Sequence, residues 1–222
     1  MKHAAVFIIT LLIFCRLSAQ VPVVQEPRHH LVLSNDYVRL LDVWIKPGDT
    51  TLYHHHATAS VVVFITRTIT GSQPLGGNPS SGQAIPGNTF FAAYDEKPIT
   101  HRVWNQDTSV YHVMDIEVLQ KGSAHPPAPL RGQGIKITLE ENMVREYRIQ
   151  LDPGARLQIP AGTTPHLLIA ISRTGDKATA VSSSSSQDAM TAGDYRWYPA
   201  GKSFLLGNDG TAGSDFVLLE FN

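Results

Sequence analysis

The sequence predicts an all-β protein, and three features of the 222-residue chain support this fold class. Short runs rich in Val, Ile, Leu and Tyr alternate with clusters of Gly, Pro, Asn and Asp, as strands alternate with turns. Few stretches have the length and apolar period of a long helix. The same landmarks occur in both halves of the chain, as expected of a duplicated β unit.

The individual strands are predicted where apolar runs end at turn residues. In chain order, the clearest are residues 37–45, 61–68, 111–119, 144–151 and 216–221. Turns that contain Pro-Gly follow the first and the fourth of them. Residues 71–87 are rich in Gly, Ser and Pro and are predicted to form a long surface loop. The serine run at residues 181–186 is predicted to be another loop.

The duplication is recognised by four landmarks that keep their spacing. In both copies an isoleucine lies 17 positions after a Pro-Gly glycine, and a glutamate lies 12 positions after an asparagine. The matched pairs are Gly48 and Gly154, Ile65 and Ile171, Asn105 and Asn208, and Glu117 and Glu220. This register predicts one β domain over residues 20–122 and a second over residues 135–222, joined by a linker at residues 123–134.

The first 19 residues have the pattern of a secretory signal. Lys2 precedes an apolar run, and small residues end at Ala19, where cleavage is expected. The run is shorter than the roughly 20 apolar residues that span a bilayer. Cys15, the only cysteine, lies in this segment, so the mature chain is expected to have neither disulfides nor thiol ligands. We expect an exported protein, periplasmic or secreted, without a membrane span.

The charge of the chain argues against nucleic acid as a partner. The formal net charge is -1, from 18 Lys and Arg and 19 Asp and Glu, with neither a basic stripe nor an acidic block. Phosphate backbones are bound by clustered Lys and Arg. The expected partner is therefore a small-molecule ligand.

Three histidines have the spacing of a metal site. His54 and His56 alternate along a predicted strand, so their imidazoles share one face and His55 points to the other. His101, four residues before Asn105, is the candidate third ligand from a neighbouring strand. Three imidazoles can hold one divalent transition metal ion (iron, manganese, zinc, nickel or copper) with coordination positions left for a ligand. The sequence leaves the identity of the metal open.

These residues resemble the two sequence motifs of the cupin superfamily: Gly48, His54 and His56, then His101 and Asn105. Residues 29–51 also resemble a cupin family whose members are often secreted. Through the duplication, the resemblance extends over the whole mature chain. It implies a bicupin, which consists of two jelly-roll barrels in tandem. Barrels of this kind often form homodimers.

The chain departs from the cupin pattern in both copies. Cupins commonly supply a glutamate four or five residues after the second histidine, where this chain has Ser60 and Val61. The resemblance thus implies a three-histidine site, like those of some cupin dioxygenases. The three histidine positions of the first copy correspond in the second to Pro160, Gly162 and Phe204. The C-terminal barrel is therefore expected to hold no metal and to have a structural role.

The function hypotheses differ in what the metal site does. One is an oxygenase or isomerase that acts on a small organic ligand. The alternative, motivated by the missing glutamate and the ligand-free second copy, is a non-catalytic barrel that binds a small ligand or carbohydrate or is purely structural. The sequence names no general base and leaves catalysis open. Trp44, Tyr53, Tyr94 and Trp104 are candidates to line the cavity, and His112 is expected to be buried and hydrogen-bonded.

Overall fold

The structure, a computed structural model, describes residues 20–171, 178–181 and 187–222. The predicted signal segment (residues 1–19) and the serines at residues 182–186 lie outside this range. Across the described residues the chain is almost entirely β, with one short 3-10 helix at Val23–Gln25, so the predicted fold class is confirmed. Within the same residues, no helix is long and apolar enough to cross a membrane.

The first half of the chain forms two five-stranded sheets. Its strands are β1 (Val21–Pro22), β2 (His29–Ser34), β3 (Val38–Ile45), β4 (His54–His56), β5 (Ser60–Phe64), β6 (Thr68–Pro74), β7 (Ser80–Ala84), β8 (Thr89–Ala92), β9 (Ile99–Asn105) and β10 (Tyr111–Val118). Sheet A has the order β1-β4-β9-β6-β7, and sheet B has the order β2-β3-β10-β5-β8. All of these pairings are antiparallel except that of β1 with β4.

The second half forms two more sheets, C and D, from strands that are all antiparallel to their neighbours. Its strands are β11 (Ile135–Glu140), β12 (Val144–Leu151), β13 (Arg156–Ile159), β14 (His166–Ala170), β15 (Ala178–Val181), β16 (Gln187–Met190), β17 (Tyr195–Tyr198), β18 (Phe204–Gly207) and β19 (Ser214–Phe221). Sheet C has the order β11-β12-β19-β14-β17, and sheet D has the order β13-β18-β15-β16.

The two halves repeat the same side-chain hydrogen bond at a predicted landmark. Asn105 Nδ2 donates to the carbonyl of Ile45 at 2.9 Å. Asn208 Nδ2 donates to the carbonyl of Leu151, also at 2.9 Å. Each asparagine is buried, and its hydrogen bond links the end of one strand to the end of another strand. Asn105 and Asn208 thus have the same structural hydrogen-bonding role in the two halves.

Three apolar cores join the sheets in the order A, B, C, D. One core lies between sheets A and B and includes Val43 and Val113, and another lies between sheets C and D and includes Ile149. The middle core joins the two halves, because it contains Leu40 of sheet B and Phe221 of sheet C. Strands β10 and β19 contribute to cores on both of their faces, and all eight residues of each are buried.

The predicted surface loop at residues 71–87 is wrong, because β6 and β7 form a hairpin there. Gly71 of this segment is required by close packing. A Cβ atom on Gly71 would lie 2.0 Å from the Trp104 ring of the neighbouring strand, so only glycine fits beneath that indole. Gly76, with φ of 72°, lies between the two strands in the left-handed region that favours glycine.

Candidate metal centre

The pairing of β4 with β9 brings the three predicted histidines together. His54 is directly opposite His101 in the register of these strands. His54 and His56 are buried and His55 is exposed, as the strand alternation predicted. The three side chains each offer a ring nitrogen within 4.8 Å of the others. His56 Nε2 and His101 Nε2 are 3.2 Å apart.

The outer nitrogens of two of the three rings have partners that direct Nε2 inward. His54 Nδ1 donates to the carbonyl of Leu52 at 2.9 Å, and His101 Nδ1 lies 3.4 Å from the hydroxyl of Ser72. A histidine that holds a metal through one ring nitrogen usually donates the other N–H to a carbonyl, carboxylate or water. The residues present therefore fit a metal ion held by three Nε2 atoms.

The protonation state of the three imidazoles also suits a metal. Burial lowers the pKa of His54 to about 3, of His56 to about 2 and of His101 to about 4, and neighbouring histidines add to the effect. All three rings are consequently neutral at neutral pH. Neutral imidazoles offer a lone pair to a cation, and no proton has to be displaced first.

A buried carboxylate that the sequence analysis did not single out lies next to this cluster. Asp115 on β10 is 4% exposed and lines the same cavity. Its Oδ2 is 3.6 Å from His56 Nδ1, which is just beyond hydrogen-bond distance. Among the described residues, neither Asp115 Oδ1 nor His56 Nδ1 has a hydrogen-bond partner. Burial raises the pKa of Asp115 to about 6.

A fourth imidazole, His29, also faces the site. Its ring centroid is 4.7 Å from that of His54 and 6.5 Å from that of His56. Glu26 Oε2 accepts a hydrogen bond from His29 Nδ1 at 2.8 Å. Burial alone would raise the pKa of Glu26, but hydrogen bonds from His29 and from the backbone N–H groups of Arg28 and Leu52 lower it to about 2. Glu26 thus fixes the orientation of His29 towards the cavity.

The histidines lie beside a cavity of ≈ 170 Å³ with mainly apolar walls. Val62, Phe64 and Val113 are representative of these walls. Of the four aromatic residues that the sequence suggested, Tyr94 lines the cavity, with its ring 4.9 Å from that of His56. Trp44, Tyr53 and Trp104 are not among its lining residues. Within the described part of the chain, no Lys or Arg lines this cavity.

His112 has the structural role that the sequence predicted. It is buried, its Nε2 lies 2.7 Å from Asp42 Oδ1, and its ring stacks on that of Trp44 with centroids 3.6 Å apart. Gly193 of the second half packs against this ring, where a Cβ atom would come within 2.3 Å of it. His112 therefore belongs to the contact between the two halves.

The equivalent place in the second half is filled with apolar side chains. Phe204, at the position of His101, is 1% exposed and stacks on Tyr198 with centroids 3.6 Å apart. The surrounding core contains Tyr147, Leu218 and Ile159. No second group of metal-ligating side chains is found within the described residues.

Comparison with known proteins shows similarity in structure but not in sequence. No family model matches the sequence, and no curated protein matches it. The structure of YhaK from Escherichia coli aligns with a TM-score of 0.57 and 14% sequence identity, and the alignment covers 87% of this chain and 90% of YhaK. AerE from Microcystis aeruginosa is 10% identical in sequence, and the alignment covers 89% of this chain and 98% of AerE with a TM-score of 0.58. An oxalate decarboxylase of Bacillus subtilis with Mn(II) centres is 13% identical, with coverage of 85% and 70% and a TM-score of 0.56.

The chain has the cupin fold. The resemblance seen in Gly48, His54, His56, His101 and Asn105 is therefore confirmed at the level of fold. At sequence identities of 10–14%, the structural similarity establishes the fold of this chain and not a reaction. Binding of a metal by the three histidines remains a prediction, now with a geometry that permits it.

Proposed function

We propose that this cupin binds one divalent transition metal ion through the Nε2 atoms of His54, His56 and His101 and uses it to hold a small organic ligand. The observation that carries the proposal is the convergence of three neutral imidazoles, two buried and one partly buried, at the wall of a cavity. When bound, such an ion would act as a Lewis acid on an oxygen of the ligand. We also propose that the protein is exported, since residues 1–19 have the pattern of a secretory signal.

The cavity favours an uncharged ligand with an apolar body and one oxygen donor. Its walls are mainly apolar, and no Lys or Arg of the described chain lines it. Asp115 and Glu26 already place two carboxylates near the histidines, and a dianionic ligand would add to their repulsion. Decarboxylation of oxalate, the activity named for some cupin neighbours, is therefore a poor model for this site.

Two residues are placed to hold such a ligand beside the ion. Burial raises the pKa of Tyr94 to about 12, so its phenol keeps its proton and can donate a hydrogen bond. His29 lines the cavity with its outer nitrogen held by Glu26. Conversion of the ligand would make the protein an oxygenase or isomerase, and release of the ligand unchanged would make it a binding protein.

The first prediction concerns the metal itself. The protein expressed from the full chain and purified without a histidine tag should contain about one equivalent of transition metal, measured by elemental analysis after supplementation and dialysis. The double variant His54→Ala/His56→Ala should contain none, because only His101 of the three proposed ligands remains.

His55→Ala is the matched control for this experiment. His55 lies on the same strand between the two ligands but is exposed on the opposite face. This variant should keep the full equivalent of metal. Wild-type protein that takes up no metal, or a double variant that retains it, would contradict the proposed site.

The second prediction concerns the ligand class. Phenol should perturb the visible absorption spectrum of the Co(II)-loaded protein at concentrations about tenfold lower than oxalate, because the cavity wall is mainly apolar and no Lys or Arg of the described residues lines it. Chloride at equal ionic strength controls for a general salt effect. Preferential binding of oxalate would show that the apolar wall does not select the ligand.

A further inference from the structure

Strand β10 carries two buried acidic residues whose surroundings differ. Asp115 and Glu117 are 4% and 2% exposed, and their side chains lie on the same face of the strand. Arg39 Nε forms an ion pair with Glu117 Oε2 at 2.8 Å. The basic side chain that lies within 4 Å of Asp115 is His56, and no Lys or Arg of the described residues pairs with it. Asp115 therefore lacks an arginine partner like that of Glu117.

The internal repeat shows which of the two carboxylates belongs to the fold. Glu117 corresponds to Glu220, which also pairs with an arginine, because Arg145 Nη1 lies 2.9 Å from Glu220 Oε2. Asp115 lies 10 positions after Asn105, and the residue 10 positions after Asn208 is Leu218.

The strand registers agree with this alignment of the two copies. Asp115 is opposite Val62 of β5, and Leu218 is opposite Leu168 of the matching strand β14. The fold therefore needs an acidic side chain at the position of Glu117, whereas at the position of Asp115 it accepts a leucine. The aspartate is present only in the half that contains the histidines.

A buried carboxylate with no Lys or Arg partner costs free energy of folding, so its presence calls for a gain elsewhere. We propose that Asp115 is a positioning residue of the metal centre: it accepts the Nδ1–H of His56, directs His56 Nε2 to the ion, and compensates the charge of the ion. This inference rests on the proposed function. The atoms agree with it, since Asp115 Oδ2 lies 3.6 Å from His56 Nδ1, and that nitrogen is buried without another partner. Carboxylates that orient a ligating imidazole typically change metal affinity by about 10- to 100-fold.

The test measures zinc affinity and metal-free stability in the same set of proteins. Asp115→Leu introduces the residue of the second copy, and the cavity beside it has room for the larger side chain. Asp115→Asn keeps the shape and removes the charge. Both variants should bind zinc about 10- to 100-fold more weakly than the wild type in competition with a chelator. Without metal, Asp115→Leu should unfold at a higher temperature than the wild type, because it removes a buried carboxylate that has no Lys or Arg partner.

Glu117→Gln is the matched control, two residues along the same strand. It should lower the unfolding temperature, because Arg39 loses its partner, and leave zinc affinity within about threefold of the wild type. Zinc binding by Asp115→Leu and Asp115→Asn that equals that of the wild type would overturn the inference and leave the three-histidine proposal intact. A lower metal-free unfolding temperature for Asp115→Leu would also overturn it, because Asp115 would then support the fold. Wild-type protein that binds no zinc would overturn the three-histidine proposal and this inference together.

Discussion

Acidification from pH 7 to 4.5 is expected to destabilise the metal-free protein on the order of 5 kcal/mol. In the unfolded chain the three site histidines have their ordinary pKa of 6.5, whereas burial lowers the pKa values in the folded chain to about 3, 2 and 4. Between pH 6.5 and about 4 these three histidines therefore bind more protons in the unfolded chain than in the folded one, an effect that the raised pKa of Asp115 partly offsets. Each additional proton lowers the free energy of unfolding by about 1.4 kcal/mol per pH unit.

Urea unfolding at a series of pH values measures this effect. The triple variant His54→Ala/His56→Ala/His101→Ala should lose much less stability over the same range, because it no longer carries the protonatable rings. Glu26 acts in a lower window: its folded pKa of about 2, against an ordinary 4.5, means that its contribution is present above pH 4.5 and is lost as the pH falls towards 2. A wild-type protein as stable at pH 4.5 as at pH 7 would show that the histidines are solvated and not buried.

The ligand geometry could be predicted because it depends on local rules. Alternation along a strand places His54 and His56 on one face whatever the rest of the fold does. The spacing from His101 to Asn105 then places the third imidazole, since Asn105 closes a turn that recurs at Asn208. The structure adds the register of β4 with β9, which sets His54 opposite His101.

The other polar groups of the site were missed because their positions depend on long-range packing. His29 reaches the cavity through the pairing of β2 with β3, and nothing in the residues around it indicates that pairing. Asp115 was detectable in principle. The comparison of the two copies that showed Glu117 to be shared with Glu220 also shows Asp115 replaced by Leu218, and this difference is the signal that could have identified it.

The incorrect loop at residues 71–87 has a related physical cause. Gly, Ser and Pro are frequent in turns, so a segment rich in them predicts a loop. Here the glycine is required by a neighbour far along the chain, since the Trp104 ring occupies the space of a Gly71 side chain. Composition alone does not separate a glycine that frees the backbone from one that makes room for an indole.

Phe221→Ala is expected to destabilise both halves of the protein by about 3–5 kcal/mol. Phe221 is fully buried in the middle core, and its ring centroid is 5.7 Å from that of Trp197. Because this core also contains Leu40 and Met114 of sheet B, the cavity left by the truncation would weaken the support of the metal-site half. Leu31→Ala is the control, since Leu31 is 49% exposed and its truncation should cost about 0.5 kcal/mol or less.

Hydrogen exchange of backbone amides, localised by mass spectrometry, tests this coupling without relying on the metal. Protection should fall by the same factor in β9, which carries His101, and in β18, which carries Phe204. A fall in β18 with unchanged protection in β9 would show that the two halves unfold independently. An equal loss of protection in both strands would show that the second half supports the first, although its own ligand positions are lost. Sheet C would then complete the core against which β3, β5 and β10 pack, and so hold Asp115 at the metal centre.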